Sequence, residues 1–181
     1  MKRLIISLLT SVAVLVLWTT APGQTTPEGT KETKVKPSEL PAAVTAAIKE
    51  NCARCSIAKS TREVEHGVTI YDIEFKGKQG EIAIATDGSV VDRETPVSLN
   101  EVPAAALEVI RKSASGGKIK QIAKGEVRAD IKDGQIIKLA SPRYFFEAEL
   151  VKGNQIGEIE VTPEGQITEG PEWRKKGSKE N

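Results

Sequence analysis

One arrangement of residues occurs twice in this chain and limits its fold more than any other feature. Leu40-Pro41-Ala42-Ala43-Val44 opens a stretch that closes on Gly80-Glu81-Ile82-Ala83-Ile84-Ala85-Thr86-Asp87-Gly88-Ser89-Val90. Val102-Pro103-Ala104-Ala105-Ala106 opens another, closing on Gly157-Glu158-Ile159-Glu160-Val161-Thr162-Pro163-Glu164-Gly165-Gln166-Ile167. The same start, strand and acidic-Gly turn, in the same order, read as one supersecondary unit used twice.

Within the first stretch, Ser38 or Glu39 is the expected helix cap, and Pro41 sits in the first turn, where its missing N–H costs nothing. Leu40, Val44, Ala47 and Ile48 fall at helical spacing, which predicts a helix to about Asn51. The period then changes to two. Ile57 opens a strand, and in Val68 to Lys76 the side chains of Tyr71, Ile73 and Phe75 point one way, Asp72 and Glu74 the other. Glu81 to Ala85 returns, and Asp87-Gly88 turns tightly into Val90-Val91. In the second stretch Asn100 is the expected cap, Val102, Ala106, Val109 and Ile110 form the buried stripe, and Gly116-Gly117 ends the helix. Ala129 to Pro142 has no counterpart in the first stretch and reads as an inserted hairpin or a lengthened strand pair. Phe146, Ala148 and Leu150 then take the inward row, with Glu147 and Glu149 outward.

The expected fold class is α+β: two units, each a helix packed on an antiparallel meander. The boundaries follow: a signal peptide over 1–23, a disordered linker over 24–38, units over 39–97 and 98–169, and a flexible basic tail over 170–181, with Trp173 able to pack back. Met1-Lys2-Arg3 followed by the apolar run Leu4 to Trp18 has the pattern of a secretory signal, and Ala21-Pro22-Gly23 fits its cleavage site. The run is short for a membrane span. This predicts a secreted or periplasmic protein without stable membrane insertion once the signal is removed.

Charge excludes one partner class. The chain has 26 Lys and Arg against 25 Asp and Glu, and losing Lys2 and Arg3 leaves 24 against 25, near neutrality. Nucleic-acid modules concentrate cations and add stacking aromatics, whereas aromatics here are only 4% of the residues, so no nucleic-acid partner is expected.

Cys52-Ala53-Arg54-Cys55 is the sharpest motif. Haem attachment requires His after the second Cys, and position 56 is Ser. Zinc requires four ligands, and the chain has one His, His66, and no further Cys. Reactive dithiols favour a helix N-terminus, whereas this pair ends a helix. In an oxidising compartment the favoured reading is a local disulfide, with free or intermolecular thiols and a redox or metal role as alternatives. His66 precedes Gly67 in a turn, and no nucleophile-base pair or phosphate loop is present. The expectation is a protein that is not an enzyme and takes no cofactor or metal. Solvent-facing rows then become the candidates for partner binding: Asp72, Glu74, Arg143, Tyr144, Phe145, Glu147 and Glu149, with Glu81, Glu158, Lys76 and Lys78 nearby. Tyr144-Phe145-Phe146 is the one aromatic triplet, and at least one of its rings must face outward.

Leu40-Pro-Ala-Ala-Val, Tyr71-Asp-Ile-Glu-Phe and Gly80-Glu-Ile-Ala-Ile with Asp87-Gly-Ser-Val-Val together resemble the PepSY and PepSY-like domains of bacterial secreted proteins. Their tandem order is similar to the beta-lactamase-inhibitor-like arrangement. The resemblance spans about residues 38 to 169 and implies a non-catalytic module that binds, and in some cases restrains, a peptidase or other envelope protein through its sheet face. The insert and the Cys pair depart from the simple pattern. A thiol-active envelope protein using Cys52 and Cys55 is the alternative function, and a small ligand held between the two units is a third.

Overall fold

The computed structural model describes residues 32–77 and 79–177. The expected signal peptide, most of the linker, Lys78 and the last four residues lie outside the described residues.

Pro41 and Pro103 hold extended backbone (φ −55° and −52°) and act as N-caps of two ten-residue helices, α1 (Ala42–Asn51) and α2 (Ala104–Ser113). The capping side chains serve a different purpose from the one expected. Ser98 caps a 3-10 turn, Leu99–Glu101, ahead of α2, and Glu39 accepts the Lys36 N–H at 3.1 Å across the matching turn Pro37–Glu39. Each helix is thereby entered through a tight turn followed by a proline, which presets its direction.

Nine strands make up the rest: β1 (Thr33–Lys34), β2 (Ile57–Glu65), β3 (Val68–Phe75), β4 (Glu81–Ala85), β5 (Val90–Val97), β6 (Lys118–Lys132), β7 (Gln135–Lys152), β8 (Gln155–Val161) and β9 (Ile167–Lys175). All are antiparallel, and they form a single sheet in chain order. This overturns the expected pair of helix-on-meander units. β5 and β6 pair from Asp92↔Val127 to Val97↔Ile122. A separate meander would have left both of those strands with unpaired edge groups, and joining them satisfies these within one predominantly β structure.

Both expected termini are corrected as well. Thr33–Lys34 adds to β2, and Ile167–Lys175 adds to β8, so the 24–38 linker and the 170–181 tail each contain paired strand. Trp173 drives the second case. Its ring lies over Gly157, where a Cβ would come within 2.9 Å of it, and it packs against the α2 core.

Helices cover one face. Val44, Ala47 and Ile48 of α1 meet Tyr71, Ile73, Phe75, Ile82 and Ile84, while Ala106 and Ile110 of α2 meet Ile122, Phe146, Ala148, Leu150, Ile159 and Val161. The opposite face has its own apolar cluster: Ile70, Ala83, Ala85 and Val91, closed by Ile131 with Ile136. Those last two come from the expected insertion, which proves to be a lengthening of β6 and β7. Val127 pairs with Arg143, but Ala129 already pairs with Lys138, so Leu139 to Pro142 bulge and let the tip depart from the sheet. At that tip the Asp133-Gly134 turn reaches the His66-Gly67 turn, with a Gly67 Cβ position 3.7 Å from the Gly134 Cα.

Candidate binding face

Strand register defines the face opposite the helices. One row runs Glu74↔Glu81↔Glu94↔Gly125↔Phe145, beside Asp72↔Ala83↔Asp92↔Val127↔Arg143. Farther along the sheet lie Ala123↔Glu147↔Glu160↔Glu169 and Gln121↔Glu149↔Glu158↔Glu172. Six glutamates thus occupy two adjacent rows of three on β7, β8 and β9. They have few cations among them: Arg174 forms a bidentate pair with Glu158 at 2.9 and 3.1 Å, and Lys120 reaches Glu149 at 2.8 Å.

The seven expected binding residues do not converge. Asp72, Glu74, Phe145, Glu147 and Glu149 share this outer face, and Glu74 is exposed. Arg143 stands in a row of the same face, but its guanidinium is taken up by Asp130 at 2.6 and 3.0 Å, tying β7 to β6 across the bulge. That contact holds the Asp130 carboxyl below its usual range. Tyr144 faces the helix side, where it pairs with Glu126 in register and carries the Lys124 ammonium 4.3 Å above its ring. Phe145 lies flat on Gly125, where a Cβ would stand 2.0 Å from the ring, so the row needs glycine there.

Glu160, Glu169 and Glu172 were missed in the sequence. Glu160 was legible from its alternation with Glu158, but Glu169 was read as the last residue of the second unit, with no strand assigned to it, and Glu172 falls in the stretch read as tail. Glu160 and Glu169 are also the most perturbed carboxylates of the face. Burial, then the charges of Glu160 and Glu172, pushes the Glu169 carboxyl up to about 7. Its Oε1 is enclosed without a hydrogen-bond donor. Burial also raises Glu160, against a 2.5 Å hydrogen bond donated by the Thr168 hydroxyl. Among the described residues no group of three or more His, Cys, Asp or Glu is placed to hold a metal ion.

Cys52 and Cys55 are joined, with Cα atoms 5.4 Å apart, inside the span a disulfide requires. Cys52 caps α1 by donating its N–H to the Ile48 carbonyl, and both sulfurs pack at the edge of the α1 core. His66 sits in the β2–β3 turn with φ 44°, as expected. No helix among the described residues is long and apolar enough to cross a membrane.

No protein-family model matches the chain, so the PepSY resemblance finds no counterpart there, and no curated protein matches it either. Solved structures do match. A protein of Bacteroides eggerthii DSM 20697, named as periplasmic, aligns with a TM-score of 0.50 at 18% identity, covering 75% of this chain and 88% of that one. A DUF2874 family protein of Bacteroides uniformis ATCC 8492 aligns at 0.49 and 19%, with the same coverages of 75% and 88%. A BLIP-like protein of Bacteroides fragilis NCTC 9343 aligns at 0.48 and 16%, over 78% of this chain and 92% of that one. At the level of fold, this chain is similar to the Bacteroides eggerthii protein.

Proposed function

We propose that this protein is a non-catalytic binding module of the periplasm that engages a basic protein or peptide through the outer face of β7, β8 and β9. The observation that carries the reading is the double row of glutamates, six carboxylates with Lys120 and Arg174 paired to two of them, on the face opposite the two described helices. Such a surface attracts cationic partners, sets their register and speeds their approach. The periplasmic location rests on the signal-like N-terminus and on the fold shared with a protein named as periplasmic. Restraint of a peptidase is the specific role that fits a rigid sheet presenting charge to a partner.

Retention of envelope proteins on the immobilised protein tests this. Glu147→Lys with Glu149→Lys should abolish the retention, and raising salt should weaken it. Arg111→Glu, on the exposed side of α2, should leave it unchanged. If nothing is retained, or if charge reversal on the face makes no difference, the reading fails.

A further inference from the structure

β9 is held to β8 in two unlike ways along its length. Its second half is anchored: the Trp173 ring covers Gly157, Arg174 grips Glu158, and the Lys176 N–H donates to the Asn154 carbonyl at 2.8 Å. Its first half is set against itself. Glu169 stands directly opposite Glu160, and like charges in that position oppose strand pairing. Groups from every neighbouring strand add to the same sign. Glu147 of β7 is in register with Glu160, Glu158 lies on β8, and Glu172 follows on β9. The nearby cations are spent elsewhere, Arg174 on Glu158 and Lys120 on Glu149. The register also shifts between Glu158 and Glu160 and again between Glu160 and Val161, so ladder bonds are interrupted on both sides of the pair.

We propose that the first half of β9, Ile167 to Gly170, is a proton-regulated edge, docked on β8 when the Glu160–Glu169 pair holds a proton and opening when both carboxylates are charged. One proton converts the facing oxygens from two acceptors into a donor and an acceptor. It removes the repulsion and supplies the hydrogen that the enclosed Oε1 of Glu169 lacks. The two groups titrate as a pair. Because Glu169 is raised in the folded state, to about 7, docking is fully stabilised below its ordinary value near 4.5 and is lost as pH rises through 7. Opening uncovers the edge of β8 around Glu160 and Val161. The device needs no ligand, so it stands whether or not the proposed basic partner exists.

Hydrogen exchange followed by NMR from about pH 5 to pH 8.5, expressed as protection factors so that intrinsic chemistry cancels, reads the opening directly. Amides of 168–170 should lose about tenfold or more in protection across that range, while those of Trp173 to Lys175 keep theirs. Glu169→Gln should flatten the profile. Glu160→Gln, which removes the facing charge, should flatten it too and serves the same comparison if the first variant does not fold. Uniform protection in the unsubstituted protein overturns the proposal. So does a pH dependence that survives in the folded variants, or a Glu169 carboxyl carbon that titrates at the ordinary carboxylate value.

Discussion

Gly77 and Gly80 flank the turn between β3 and β4, both with positive φ, at 69° and 83°. A Cβ at Gly77 meets nothing within 4 Å, whereas at Gly80 it would stand 1.9 Å from the Glu94 carbonyl oxygen of β5. The two therefore separate backbone conformation from crowding. Gly77→Ala should cost about 1 kcal/mol, the penalty of the conformation alone, and Gly80→Ala at least about twice that, because backbone must move. Urea denaturation of both variants checks the difference, and equal losses would contradict the close approach. Cys52 and Cys55 close a short ring, so their joint replacement by Ser should cost only about 2 kcal/mol by loop-closure entropy. A reductant should lower the midpoint of the unsubstituted protein to match. At this scale the sequence was readable: the CxxC pair, the His66-Gly67 turn and the inward rows of β3 and β7 all lie where alternation and turn chemistry put them. Tyr144 and Arg143 were not, because choosing between two adjacent aromatics, or seeing that an arginine is already paired, requires the partner strand.

The lengthened β6–β7 hairpin is the element with the largest structural effect. The sheet's second face would otherwise expose Ile70, Ala83, Ala85 and Val91, and Ile131 closes over them with 7% of its surface left accessible. Ile131→Ala should cost about 2–4 kcal/mol, near a core truncation, although the residue lies close to a hairpin tip. Thermal denaturation measures it; a loss within about 0.5 kcal/mol would mean the hairpin does not cover that face. The bend is tied by Asp130 and Arg143. Asp130 is lowered in the folded state, so the pair stabilises above the carboxyl's ordinary value and stops doing so as pH falls through the lower folded one. Both groups are substantially solvated, which keeps Asp130→Asn within about 1 kcal/mol at neutral pH. That small difference should shrink progressively in melts taken at pH values below the carboxyl's ordinary one. The extra residues were visible in the sequence as a stretch without a counterpart. Their direction was not, since a bulge at 139–142 and the apolar patch it serves lie far apart along the chain.

Across the whole molecule, continuity of the sheet decides how the chain responds to stress. The α1 and α2 cores are distinct, but β5 and β6 join them through six residue pairs, and the hairpin from β6–β7 closes over β3, β4 and β5. Heat should therefore unfold the described region in one cooperative transition, with calorimetric and van't Hoff enthalpies equal. Two resolved transitions would instead restore the picture of independent units. Periodicity and spacing determined, from the sequence by itself, where the two helices run, that β2, β3 and β4 are strands, which side chains of β3 and β7 turn inward, and that the two cysteines lie close together. These depend on neighbours a few residues apart, and local geometry answers them. Tertiary structure alone decided that nine strands form one sheet, that β9 belongs to it, that the hairpin covers the second face, and that Glu169 stands opposite Glu160. Each of those rests on which strand edges and apolar surfaces meet across long stretches of chain, and alternation is the same whichever partner a strand finds.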